Sequence, residues 1–180
     1  MHHAAIRSLI QDRYATAHDA SPAGAYPSYL TIGSPEKPQA VLGFRSAGAE
    51  PLFLERYLDQ PIEEVLTARL ARPVPRGRIV ELGDHASHRP GATIALWREA
   101  AVTLASQADI AVAVLTRPMR TMFQRLDLEL VELAPARIEA MGDAARHWGR
   151  YYETDPLLCA GDIARCRAAL ERAIRRGGQA

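Results

Sequence analysis

The chain is short of several things that would place it at once. Two cysteines, Cys159 and Cys166, occur in 180 residues. That is too few for a disulfide scaffold, and they read as two reduced thiols. Lys37 is the only lysine, so arginine supplies nearly all of the 22 basic side chains, and 21 acidic ones leave a net charge of +1. Such a balance gives no general drive towards nucleic acid or an anionic membrane. No stretch approaches the roughly 20 apolar residues that a membrane span needs. The first residues, MHHAAIRSLIQDRYATAHDA, lack the basic start and apolar run of a signal peptide. These absences lead to the expectation of a cytoplasmic protein with no membrane span and no nucleic-acid partner. There is no G-x-S-x-G around Ser87, no internal repeat and no low-complexity tract.

What is present is enough apolar material for a sizeable core, 48% of the chain, over a length that suits one domain. Residues 3–17 carry Ile6, Leu9, Ile10 and Tyr14 at helical spacing. After the turn-rich loop DASPAGAYP, SYLTIG (28–33) and AVLGFRS (40–46) read as strands joined by a tight connector. EPLFLERYLDQ gives no clear period, and Pro61 opens a helix running to Leu70. RIVELG is a strand, and a helix follows from about Gly91 to Gln107. DIAVAVLT (109–116), almost wholly apolar, reads as an inner parallel strand. RPMRTMFQRL is a short helix, LELVEL (128–133) a strand, and 135–146 a further helix. HWGRYYETDPLLCAGD reads as irregular. An amphipathic tail helix spans Asp162 to Arg176, with Asp162 as N-cap and Ile163, Cys166, Leu170 and Ile174 as its stripe. The order strand, helix, strand, helix, strand predicts an α/β fold, a mixed twisted sheet flanked by helices. One domain over 1–180 is expected, with 147–180 docking on it.

The chemistry concentrates in RIVELGDHASHRPGATIALW, residues 78–97. A strand enters a helix there through a short polar connection. A helix N-terminus offers unpaired N–H groups and a positive dipole end, so anions bind there. Ser87, His88 and Arg89 add side-chain donors, and Gly91 lets a ligand approach the backbone. Glu81 on a strand is costly to bury unless paired, and useful if its pKa is raised. A core hydrogen bond or an arginine partner is the plain alternative for it. Asp84, His85 and His88 are spaced too tightly, with no cysteine near, to favour a zinc site, and Ser87 suits a helix cap better than a nucleophile. Trp148, Tyr151 and Tyr152 either line a pocket or dock the C-terminal segment. Arg45 either pairs with Glu81 or binds a substrate carboxylate. Arg7, Arg13 and Tyr14 on the first helix could meet an acceptor or simply form surface ion pairs.

The run RIVELGDHAS, SHRPGA, the helix to Gln107, DIAVAVLT and RPMRTMFQRLDLELVEL resembles the GCN5-related N-acetyltransferase fold. The resemblance implies that strand 78–86 splays from strand 109–116. It also implies that a pantetheine arm enters the gap and a pyrophosphate sits on the loop before the helix. Of that family's glycine-rich loop, HRPGAT keeps Gly91, and Phe123 stands where a tyrosine acid is often found. Glu81 is similar to the glutamate on the same strand of the acyl-homoserine-lactone synthases, which use acylated carrier protein. A fuller likeness, from about Ile6 to Ile163, runs through VLGFRSAGAEPLFLERYLDQPIE, IVELGDHAS, FQRLDLELVELAPA and HWGRYYETDPLLCAGDI. It is to the thermostable hemolysin family. That family name implies lysis, and ARCRAALERAIRR is the only segment that resembles an interfacial helix.

Together these readings give an expected N-acyltransferase that moves an acyl group from acyl-CoA or acylated carrier protein to a small amine or amino acid, without a metal. Glu81, Asp84 and His85 are the catalytic candidates, with a backbone N–H near Gly83 to His85 for the oxyanion. Ser87, His88, Arg89, Gly91 and Ala92 are the candidates for the phosphate of the donor's phosphopantetheine arm. Arg45, Tyr14, Trp148 and Tyr151 are those for the acceptor. The alternatives are an accessory protein that binds the thioester without chemistry, and a membrane-active hemolysin.

Overall fold

A computed structural model of the chain describes residues 2–22 and 26–177. Part of the loop DASPAGAYP, residues 23–25, lies outside them. Helix α1 (His2–His18) leads into the hairpin of β1 (Ser28–Ser34) and β2 (Lys37–Ser46). A 3-10 turn over Phe53–Tyr57 and helix α2 (Ile62–Leu70) follow, then β3 (Ile79–Ser87), α3 (Pro90–Leu104), β4 (Ile110–Leu115) and α4 (Arg117–Arg125). The chain closes with β5 (Val131–Pro135), β6 (Leu157–Asp162) and α5 (Ile163–Gly177). The strands form one mixed sheet in the order β1-β2-β3-β4-β6-β5. Only β3 and β4 are parallel.

The expected α/β sheet is therefore present, with three corrections. The strand β6 falls in the stretch read as irregular, and it lies inside the sheet, antiparallel to both β4 and β5. As a result β4 has a parallel neighbour on one side only. The helix expected over 135–146 is instead a run of 3-10 turns, Ile138–His147, broken at Gly142, whose φ of 53° no continuous helix permits. The strand expected at 128–133 begins later, at Val131, because Asp127 at φ 58° ends α4 with a turn. At the tail, Asp162 does cap α5, its Oδ1 accepting the Arg165 N–H at 3.1 Å.

Alternation along the strands divides the core between two faces. On one face Leu42, Val80 and Leu82 meet Leu96 and Leu104 of α3, Phe123 of α4, and Ile163 and Leu170 of α5. On the other, Ile79, Val112 and Leu158 meet Ile62 and Leu66 of α2. Val41 and Ala86 there meet Ile6, Leu9 and Ile10 of α1. Each fully buried leucine or isoleucine contributes roughly 1.5–3 kcal/mol by leaving water. Two packed layers thus hold the middle of the sheet rigidly while its strand ends carry the polar residues.

Candidate active site

The parallel pair is short. β3 and β4 are in register from Ile79 opposite Ile110 to Leu82 opposite Ala113, and then they part. β3 continues to Ser87 and β4 to Leu115 without facing each other as a ladder. From Gly83 onward the β4-facing edge of β3 has no strand partner among the described residues. Backbone N–H and C=O groups along such an edge are strong hydrogen-bonding groups for an extended ligand. A cavity of about 670 Å³ occupies the wedge, reaching both faces of the sheet.

A bulge redistributes the side chains of β3. Val41 faces Ala86, but Gly43 faces Gly83, so β3 holds one residue more than β2 over this stretch. Asp84 takes up the extra length at φ 48°, a conformation aspartate tolerates better than most residues. Strict alternation would put Glu81, Gly83 and His85 on one face. The bulge instead leaves Asp84 on the α1 side, where its Oδ2 accepts the Tyr29 hydroxyl at 2.8 Å. His85 turns to the α3 side, its ring 5.9 Å from that of Trp97. The structure therefore brings Glu81 and Asp84 together on one face and separates His85 from them.

Glu81 is 1% exposed. Its Oε1 accepts the Tyr26 hydroxyl at 2.9 Å, its Oε2 accepts the Phe53 N–H at 2.8 Å, and Arg45 Nε lies 3.8 Å from Oε2. Burial raises its pKa above the ordinary carboxylate value, and the hydrogen bonds from Tyr26 and Phe53 and the charge of Arg45 pull it back in part. Both plain alternatives for Glu81 hold, and it still lines the cavity. Arg45 also lies 3.7 Å from Glu50 and over the Tyr26 ring, 5.0 Å from its centroid. Tyr26 was not singled out from sequence. The signal was present in another form: Gly43 and Gly83 face each other across β2 and β3, and a Cβ on either would collide with the Tyr26 ring. Two cross-strand glycines leave a slot that only a side chain from elsewhere can fill.

The connection after β3 is at the cavity's mouth. Ser87 Oγ donates to the Arg89 carbonyl at 2.9 Å and accepts the Arg89 N–H at 3.3 Å, while Arg89 Nη2 donates to Gln39 Oε1 at 2.8 Å. His88, Arg89 and Gly91 are exposed and Ala92 is buried at the start of α3, where Pro90 is the first helical residue. Tyr14, Trp148 and Tyr151 come together on the α1 side. Tyr14 lies 6.2 Å from each of the other two rings, and Tyr151 lies 5.2 Å from that of His18. Tyr152 shares a 2.6 Å hydrogen bond with Tyr57. These aromatics pack on one another and line the cavity. Arg13 lines it too. Among the described residues no group of three His, Cys, Asp or Glu is placed to hold a metal ion.

An open mixed sheet with a splayed parallel pair and a polar strand-to-helix connection is the N-acyltransferase type of fold, and solved structures bear this out. FeeM, an N-acyl amino acid synthase from uncultured soil microbes, superposes with a TM-score of 0.60 at 13% identity, over 93% of this chain and 94% of its own. BjaI, a CoA-dependent acyl-homoserine lactone synthase solved with SAM and isopentyl-CoA, gives 0.61 at 11% identity, over 96% and 82%. TofI, solved in a ternary complex with an inhibitor and MTA, gives 0.55 at 17% identity, over 94% and 90%. At these identities the likeness is one of fold. A search of curated protein sequences finds no match. The chain belongs to the thermostable hemolysin family, whose model matches residues 1–167.

Proposed function

We propose that this protein is an N-acyltransferase that moves an acyl group from a thioester, on coenzyme A or an acyl carrier protein, to a small amine or amino acid. The observation that carries the proposal is the wedge between β3 and β4 with buried Glu81 lining it. A thioester arm is long, thin and rich in amides, and the unpaired strand edges suit it. Its phosphate end reaches the exposed loop of His88, Arg89 and Gly91 and the start of α3, where N–H groups and the helix dipole favour an anion. The isopentyl-CoA bound to BjaI and the synthase activities of BjaI and FeeM support the same direction.

The steps follow from the groups in place. Glu81, made more basic by burial, takes a proton from the acceptor's nitrogen, directly or through a water. The nitrogen lone pair then attacks the thioester carbonyl, and a backbone N–H from Gly83 to His85 stabilises the oxyanion. The C–S bond breaks as the carbonyl re-forms, and the nitrogen's second proton passes to the departing sulfur, giving an amide and a free thiol. A thiol of pKa about 8.5 leaves without a strong acid, so Phe123, buried against Trp97 with no hydroxyl to give, need not supply one. Asp84, hydrogen-bonded to Tyr29, lies on the acceptor's side of the cavity, where an ammonium arrives. The Tyr14, Trp148 and Tyr151 cluster shapes that side for the acceptor's body, while Arg45 lies outside the cavity lining, against Glu81, Glu50 and the Tyr26 ring.

Lysis finds less support. α5 puts Ile163, Ala169 and Leu170 into the core and leaves Ile174 exposed, and no helix among the described residues is long and apolar enough to cross a membrane. The test is to incubate the purified chain with an amino-acid pool and either acyl-CoA or acylated carrier protein, measuring free thiol and amide by mass spectrometry. Thiol and amide in equal amounts, both lost in Glu81→Gln, are expected. A donor bound tightly but never turned over would replace the proposal with that of an accessory binding protein.

A further inference from the structure

The α3 side of the cavity contains two polar atoms that the chemistry above does not use. His85 Nε2 and Trp97 Nε1 are both buried, and neither has a hydrogen-bond partner among the described residues. Buried polar groups are almost always paired, because leaving one unpaired costs most of its solvation. Two such atoms on neighbouring rings, in residues that both line one cavity, point to a ligand atom that completes them when the cavity is filled.

Their position says which part of the ligand. Leu82 and Ala113 are the last paired residues at the apex of the wedge, and Trp97 lines the cavity beside both. The rest of that wall is apolar and pliable, with Leu115, Met119 and Met122. Amides of the pantetheine arm have the free strand edges to pair with. What reaches the wall past the apex is the acyl chain, at the carbons nearest the thioester. We infer that the acyl donor carries a hydroxyl on its third carbon, which accepts a hydrogen bond from Trp97 Nε1 and pairs with His85 Nε2. This rests on the acyl-transfer reading and specifies its substrate class. A hydroxyl suits the pair because indole N–H only donates, whereas a neutral imidazole nitrogen either accepts or donates, and a hydroxyl can meet both. Burial keeps His85 neutral at physiological pH. An unsubstituted chain fits the same wall but leaves both atoms unpaired.

The test is calorimetric titration of the full chain with 3-hydroxyoctanoyl-CoA and with octanoyl-CoA, without an acceptor. The wild type is expected to bind the hydroxylated donor about tenfold tighter or more. In Trp97→Phe and in His85→Phe, each checked for folding by circular dichroism, the ratio between the two affinities falls to about one. If His85→Phe does not fold, Trp97→Phe decides alone, since it keeps an aromatic ring against Phe123 and removes only the donor and some bulk. Equal affinities in the wild type overturn the inference and leave acyl transfer standing. So does a ratio that survives in the variants. Binding of neither donor overturns both.

Discussion

Glu81 carries two opposed demands at the scale of a single residue. Two donors and a nearby guanidinium favour its charged form, while burial opposes it, and burial wins. Glu81→Gln separates its role in the fold from its role as a base. The amide can accept the Phe53 N–H through its oxygen and donate to the Tyr26 oxygen, so both contacts persist with one reversed. Thiol release is expected to fall by about 10²–10⁴, while the melting temperature at pH 7 holds or rises, because a buried charge has been removed. The pH dependence gives the sign. A carboxyl with a raised folded pKa stabilises the fold below its unfolded value near 4.5 and loses that contribution as pH rises. The variant's advantage should therefore be absent in acid and grow above that pH. A companion measurement uses Tyr26→Phe. The Tyr26 hydroxyl lowers the Glu81 pKa, so removing it moves the acid limb of the rate profile to higher pH. A limb that stays in place would separate Tyr26 from the titrating base.

At the scale of elements the site depends on one bulge and one slot. Gly83→Ala puts a Cβ into the Tyr26 ring with Gly43 opposite giving no room, and overpacking of this kind costs about 1–3 kcal/mol. Lower stability and a shift of the acid limb in the same direction as in Tyr26→Phe are expected together, whereas an unchanged melting curve would mean the ring is not held in that slot. Much of this region was legible in the sequence. The apolar strand, the polar connection and the helix after it follow from periodicity and charge, and Glu81 stands out on that strand as an acid whose burial needs a reason. The bulge was not legible, because nothing in LGDHAS marks where an extra residue enters, and a one-residue change of register turns every later side chain to the other face. Strict alternation puts His85 on the face of Glu81 and Asp84 on the other, and the bulge exchanges the two. β6 escaped notice for another reason. LLCAG is a short apolar run with no alternation, and it follows aromatic turns that mask its start. Whether such a run becomes a strand is decided by the neighbours it pairs with, here β4 and β5. Tyr26 lay in a loop of turn residues, and only the facing glycines hinted at it.

At the scale of the whole molecule Glu55, Glu81 and the two histidines His18 and His85 shape how stability depends on acidity, and they pull in different directions. Arg76 joins the 3-10 turn to α2, donating to Glu55 at 2.7 and 2.9 Å, to Glu63 at 2.7 Å and to the Ala47 carbonyl at 2.9 Å. Through that turn it braces Phe53, whose N–H holds Glu81. Its hydrogen bonds hold the Glu55 carboxyl down to about 2. Glu55 therefore contributes stability above its unfolded pKa near 4.5, about 2 kcal/mol after allowance for its partial exposure, and loses it as pH falls towards 2. His85 is held down to about 4 by burial. Unfolded, it takes a proton near 6.5, so the fold loses up to about 3 kcal/mol as pH falls from there to about 4. Glu81 runs the other way, losing its contribution as pH rises above about 4.5. Between about 4.5 and 6.5 the terms of His85 and Glu81 therefore oppose each other, and the wild-type melting temperature should change little or climb gently. Glu81→Gln removes one of them and the climb steepens. His85→Phe removes the other, leaving Glu81 opposed by half-buried His18, and the climb flattens. Below pH 4.5 both variants and the wild type should descend together, as Glu55 is protonated, and Arg76→Met should flatten that descent. Thermal denaturation by circular dichroism from pH 2 to 8 resolves the segments, and parallel curves for His85→Phe and the wild type between 4.5 and 6.5 would mean that His85 titrates normally and is not buried against Trp97.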